Sequence, residues 1–158
     1  MRKIGFTGTA EGMTDAQVNA VHSRLCQVNE KTDLVFHHGM CEGADEQFDE
    51  MLRGIFLFEV GTCKIIGHPG VTYSGHVWKR GHCHPTDVLE EKYFIDRNHD
   101  IVDETDELWA TPKQMNTRRE DGTWTPIRSG TWATIRYAEY RKKPVTIFWP
   151  DGTVKKFG

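Results

Sequence analysis

Apolar residues along the chain fall into two patterns. Short, mostly apolar runs occur at Ile4 to Phe6, Leu34-Val35-Phe36, Cys63 to Ile66, Leu108-Trp109-Ala110 and Val145 to Trp149. Runs of this length, bounded by Gly, Pro and polar residues, read as buried strands. Between them the apolar positions take helical spacing. Val18, Val21, Leu25 and Val28 form one face, opened by Thr14 and Gln17 at capping-box spacing. Phe48, Met51, Leu52, Ile55 and Phe56 form a second over about 44–59, with Gly61 as its C-cap. Tyr93, Phe94, Ile101 and Val102 predict a third helix over 88–102, and Ser129 caps a fourth over 130–141.

Strands and helices therefore alternate, which predicts an α/β fold: a three-layer sandwich around a mostly parallel five-stranded sheet. Val154 to Phe157, after the turn Pro150-Asp151-Gly152-Thr153, adds a short C-terminal antiparallel extension. Residues 113–128 contain Glu120-Asp121-Gly122-Thr123 and read as an exposed excursion with hairpin turn chemistry. Right-handed crossovers place every strand-to-helix loop on one sheet edge, where ligands of open α/β sheets bind. Loops 8–12, 39–45, 67–70, Pro112 and 128–131 are thus expected to converge.

At 158 residues the chain is expected to form one domain, residues 1–158, with a substantial core. Its net charge of −3 gives no sequence-independent pull toward nucleic acid. No stretch has the length and apolarity of a membrane span, and the start lacks the pattern of a secretory signal. The expectation is a cytoplasmic protein in which Cys26, Cys41, Cys63 and Cys83 are free thiols or metal ligands.

Two stretches carry chemistry. His38-Gly39-Met40-Cys41-Glu42-Gly43-Ala44-Asp45 takes a strand through a glycine-rich turn into a helix start. Such a turn lets backbone approach a ligand, and the helix start offers N–H donors and positive potential. Arg128-Ser129-Gly130-Thr131 opens the last helix with hydroxyls, N–H groups and a guanidinium, an anion cradle beside Trp132, which is placed to stack on a base. The aperiodic loop 68–86 holds His68, His76, His82, Cys83 and His84. His82 and His84 are its weak zinc candidates, because adjacent residues of an extended loop point apart and the usual ligand spacing is absent. No metal or cofactor is required by this pattern.

The chain resembles the SLOG superfamily, the Rossmann-like proteins that include the DprA/Smf proteins and the LOG-type phosphoribohydrolases. The resemblance rests on Thr7-Gly8-Thr9, His38 to Asp45, Gly67-His68-Pro69, Asp96-Arg97-Asn98, Thr111-Pro112 and Ser129-Gly130-Thr131-Trp132-Ala133-Thr134, and spans about residues 3–150. It implies a bound nucleotide or nucleotide derivative. Phosphate would lie near Arg128, Ser129, Gly130 and Thr131, and ribose or base near Gly8, Thr9, Gly39, Met40, Cys41, Glu42, Gly43, Asp45, Asn98 and Pro112. Arg97 falls where LOG-type hydrolases carry a catalytic arginine. Thr134 stands where they carry the glutamate used for N-glycosidic cleavage, and a threonine cannot replace a carboxylate. Ala10 stands where many relatives have an arginine, and Arg128 is available for the same anion. The reading is a nucleotide-binding sensor, carrier or sequestering protein. The alternative is a nucleoside 5′-monophosphate hydrolase using Arg97 with Glu42, Asp45 or Glu11 as its carboxylate. DNA binding of the DprA type ranks lower on charge. The resemblance also implies a homo-oligomer.

Overall fold

The first strand, β1 (Arg2–Gly8), is the centre of the sheet in the computed structural model, which describes residues 1–28, 33–56 and 63–158. It leads through α1 (Asp15–Gln27) to β2 (Leu34–His38), and through α2 (Ala44–Ile55) to β3 (Cys63–Gly67). Three two-residue strands follow: β4 (Gly70–Val71), β5 (Asp87–Val88) and β6 (Lys92–Tyr93). The chain then forms α3 (Phe94–Asp103), β7 (Glu107–Thr111), α4 (Gly130–Tyr140), β8 (Val145–Phe148) and β9 (Val154–Phe157). The main sheet runs β5-β3-β2-β1-β7-β8-β9, and β4 pairs with β6 separately. All its pairs are parallel except β8 with β9. This is the Rossmann-like α/β sandwich with five main parallel strands and an antiparallel edge.

Side-chain alternation along the strands divides the core in two. Ile4, Phe6, Trp109 and Phe148 face α1 and α2, where Phe48 stacks on Phe6 with ring centroids 4.0 Å apart. Leu108, Ala110, Val145 and Ile147 face α3 and α4. Phe48 and Leu52 of α2 are fully buried, each contributing roughly 1.5–3 kcal/mol. The α1 capping box forms: the Thr14 hydroxyl accepts from Gln17 N–H, and Gln17 Oε1 accepts from Thr14 N–H. The Gln17 amide also donates to the carbonyls of Pro112 and Phe148, tying α1 to the ends of β7 and β8.

Three boundaries differ from the sequence reading. The third helix begins at Phe94 instead of Val88. Residues 86–89 instead bond to the sheet edge, with Thr86 N–H donating to Ile65 O and Leu89 N–H to Gly67 O. Val88 and Leu89 stay exposed there. The second helix ends at Ile55, and the expected stretch to Glu59 and the Gly61 cap lie outside the described residues. Residues 113–128 do make a tight turn, but Trp124 is buried. It packs against Trp132, Trp149 and Phe157, with the Arg118 guanidinium 3.9 Å over its ring.

Candidate functional site

Adjacent strands β1 and β7 send their following helices to opposite faces of the sheet. Their loops part, and a crevice opens at this topological switch point. It is a cleft of about 380 Å³. Of the residues singled out from sequence, Gly8, Thr9, Glu11, Gly39, Cys41, Asp45, Arg97, Asn98, Arg128, Ser129, Gly130 and Thr131 line it.

The floor of the cleft is built from the β2–α2 turn. Gly43 has φ of 82°, and a Cβ there would collide with the Ala10 backbone, so glycine lets the β1 loop and α2 meet. Asp45, in the first turn of α2, folds back so that its Oδ2 accepts from the N–H groups of Gly39 and Cys41, each at 3.1 Å. Its Oδ1 is buried without a partner. Burial outweighs the nearby His38 and Arg97 charges and both N–H donors, and pushes the carboxyl above the usual aspartate range. Burial and Asp45 also push the Cys41 thiol up, to about 11, which keeps it protonated at neutral pH.

Arg97 stands beside this turn and is 3% exposed. Its guanidinium donates to Gly39 O, to His68 O at 3.1 Å, to Phe94 O at 3.4 Å, and toward Cys41 Sγ at 3.5 Å. A Cβ at Gly39 would collide with it, so glycine is required for this close approach. Arg97 thus joins the β2–α2 turn, the end of β3 and α3 before any ligand arrives.

The opposite wall carries positive potential. Ser129 caps α4, its hydroxyl accepting from Trp132 N–H at 3.1 Å, and Gly130 and Thr131 open the helix at the cleft. Exposed Arg128 lines the same wall, as does Lys113, which pairs with Glu11 at 2.5 Å. A third wall is aromatic. Trp78 and Phe94 stack with centroids 4.5 Å apart, and Lys79 lies 5.1 Å from the Trp78 ring centre. Glu42 N–H donates to Lys79 O and Gly81 N–H to Met40 O, which pins this segment over the turn. Met40 and Lys79 both take left-handed φ, 55° and 42°.

Five ligand-site candidates, and Thr134, lie off the cleft lining. Trp132 is fully buried among Trp124 and Trp149, so its ring is unavailable for stacking on a base. Met40 turns its sulfur toward Gly67, and Glu42 is exposed. Gly43 acts through its backbone, and the Pro112 carbonyl serves Gln17. Thr134 is buried, its hydroxyl donating to Gly130 O at 2.8 Å. Trp78, Lys79, Phe94, Lys113 and Gln114 line the cleft but were not singled out from sequence. An aromatic beside a lysine in a long aperiodic loop is the signal that marks Trp78 and Lys79.

Among the described residues, two groups of three side chains bring possible metal-ligating atoms together: His37, His68 and Glu104, and His38, Asp49 and Cys83. His82 and His84 belong to neither; their backbone N–H groups serve Glu46 and Asp49. His38 Nε2 meets Asp49 at 2.8 Å, while Arg53 and His84 N–H occupy the other Asp49 oxygen. Burial raises the Asp49 carboxyl, but these donors together outweigh it and hold the group below the usual range. Burial pushes Cys83 up to about 12 and His37 and His68 down to about 4 and about 3.

No family model and no curated protein matches this chain. Among solved structures, the fold is similar to the molybdenum cofactor binding protein from the phototrophic bacterium Rippkaea orientalis. That match has a TM-score of 0.63 and 17% identity, covering 94% of this chain and 76% of the other. It is also similar to TM1055, a structural genomics target, with a TM-score of 0.54, 14% identity, and 92% and 72% coverage. At these identities the likeness is one of fold. Among the described residues, no helix is long and apolar enough to cross a membrane.

Proposed function

We propose that the chain binds a phosphorylated small molecule carrying a planar heteroaromatic ring, a nucleotide or nucleotide derivative, as a sensor, carrier or sequestering protein. The observation that carries this reading is the pairing of two unlike ends in one cleft. The α4 N-terminus with Arg128 suits a phosphate, and the unpartnered Asp45 Oδ1 suits a hydroxyl or ring N–H donor. Trp78 and Phe94 offer a flat apolar wall for a ring. The similar fold of a molybdenum cofactor binding protein supports a binding role. Thr134, buried and bonded to its own helix, supplies no carboxylate for the LOG-type reaction. A homo-oligomer remains part of this reading from the superfamily resemblance.

A second reading, hydrolysis of the N-glycosidic bond of a nucleoside 5′-monophosphate, is favoured by one feature. Asp45 is a buried carboxyl with a raised pKa in the cleft, as a general acid requires. Glu42 does not line the cleft, and Arg97 already holds backbone carbonyls.

Native electrospray mass spectrometry of gently purified protein, then of the same sample denatured, tests both. Binding gives an adduct of nucleotide mass that is lost on denaturation, or one that forms from a nucleotide panel. Hydrolysis gives free base and ribose phosphate. An apo mass unchanged across the panel overturns the binding site.

A further inference from the structure

A second cleft, of about 230 Å³, opens beside α3 and is bordered by His68, Lys92, Asp100 and Glu104. At its wall, His37 Nδ1 and His68 Nε2 lie 2.7 Å apart. Glu104 Oε2 completes a triangle at 3.7 Å from His37 and 3.6 Å from His68. We infer that His37, His68 and Glu104 form a binding site for a divalent transition-metal ion of the zinc type, open toward this second cleft.

The fold makes the triangle. Strands β2 and β3 run parallel in register, His37 opposite Ile66, and His68 N–H donates to His38 O at 2.8 Å. That register carries both imidazoles to one place, 5% and 3% exposed. Glu104 is the C-cap of α3, so the negative end of the helix dipole faces the same point. An ion held at about 2.0–2.1 Å in tetrahedral geometry sets its donors about 3.3 Å apart. The three edges here scatter around that value. An ion between the two imidazole nitrogens would replace their 2.7 Å contact as the rings separate slightly. Two imidazoles and one carboxylate suit zinc, cobalt(II) or iron(II) better than calcium or magnesium. Three protein ligands leave a coordination position facing the cleft, the arrangement of reactive rather than purely structural sites. Lys92 and Arg97 also border this cleft. Asp100 pairs with Lys92 at 2.6 Å, and Arg97 is engaged by carbonyls, so neither ammonium nor guanidinium occupies the ligand triangle.

The test is titration of chelator-treated protein with Co²⁺, read by its visible d–d absorption, followed by displacement with Zn²⁺ and metal analysis after dialysis. One equivalent of Co²⁺ is expected, in a spectrum without a thiolate charge-transfer band. His68→Ala and Glu104→Gln should each weaken binding at least about tenfold. Glu104 is exposed, so Glu104→Gln keeps the fold, which thermal melting verifies. Cys83→Ala and His82→Ala should leave the titration unchanged. A thiolate band lost in Cys83→Ala would move the ion to His38, Asp49 and Cys83 and overturn the inference. So would native affinity retained in both Glu104→Gln and His68→Ala, or no bound Co²⁺ or Zn²⁺ at all.

Discussion

On the proposed reading, Asp45 sets a ligand contact against the stability of the empty protein. Its Oδ2 is fully employed by Gly39 and Cys41, while its Oδ1 is buried and idle. Because burial outweighs every favourable charge around it, the neutral form fits the empty cleft better. Asp45→Asn keeps the shape and an oxygen for the two N–H groups, and removes the buried charge. The expected outcome is an apo protein at least as stable at pH 7, by up to about 1 kcal/mol in urea unfolding. Affinity for the ligand should fall about tenfold or more, since a ligand donor would lose a charged acceptor worth about 1.5–3 kcal/mol. A variant that is both less stable and still binds normally would show that Asp45 serves the turn alone.

Elements are held around the cleft by Arg97, and this separates it from Arg128. Arg97→Lys cannot span Gly39 O, His68 O and Phe94 O with one ammonium, and should cost about 3 kcal/mol in chemical denaturation. Arg128→Ala, at an exposed position, should leave the melt unchanged. It should weaken binding of a phosphorylated ligand and flatten its salt dependence. If Arg97→Lys melts normally and only binding suffers, the arginine is a ligand residue rather than a structural one. The five strands, the α1 cap and the α4 start were legible because period and cap chemistry are local. The start of α3 was not, because residues 86–89 bond to the β3 edge and Lys92–Tyr93 pair with β4, which apolar spacing does not reveal. Trp78 and Lys79 reach the cleft because Trp78 N–H donates to Gly70 O while Lys79 O and Gly81 N–H bond to the distant turn at 40–42. Trp132 shows the same limit. Its place beside the cap was readable, but its side was decided by Trp124 and Trp149 arriving from elsewhere.

For the whole molecule, two buried carboxylates four residues apart on α2 bend the pH profile in opposite directions. Asp49 has its folded pKa depressed below the ordinary aspartate value of 3.8. The stability it contributes is present above that value and is lost as pH falls through the lower, folded pKa. Asp45 has its folded pKa raised above 3.8, so its contribution is complete below that value and is lost as pH rises through the higher, folded pKa. Asp49 joins β2 through His38, α2 through Arg53 and the 82–84 segment through His84, so its protonation loosens three parts at once. Urea unfolding measured between about pH 3 and pH 8 should therefore show a steep loss of stability in acid for the native sequence. Asp49→Asn should be weaker by about 1–3 kcal/mol at neutral pH, where it leaves His38 and Arg53 without their charged partner. Its deficit should shrink as the native protein is acidified below pH 4. Asp45→Asn should show the reverse, gaining on the native protein only above the ordinary aspartate range. Parallel curves for all three proteins would mean that neither carboxylate titrates differently in the folded chain, and would remove the physical basis for treating Asp45 as a strained, ligand-facing group.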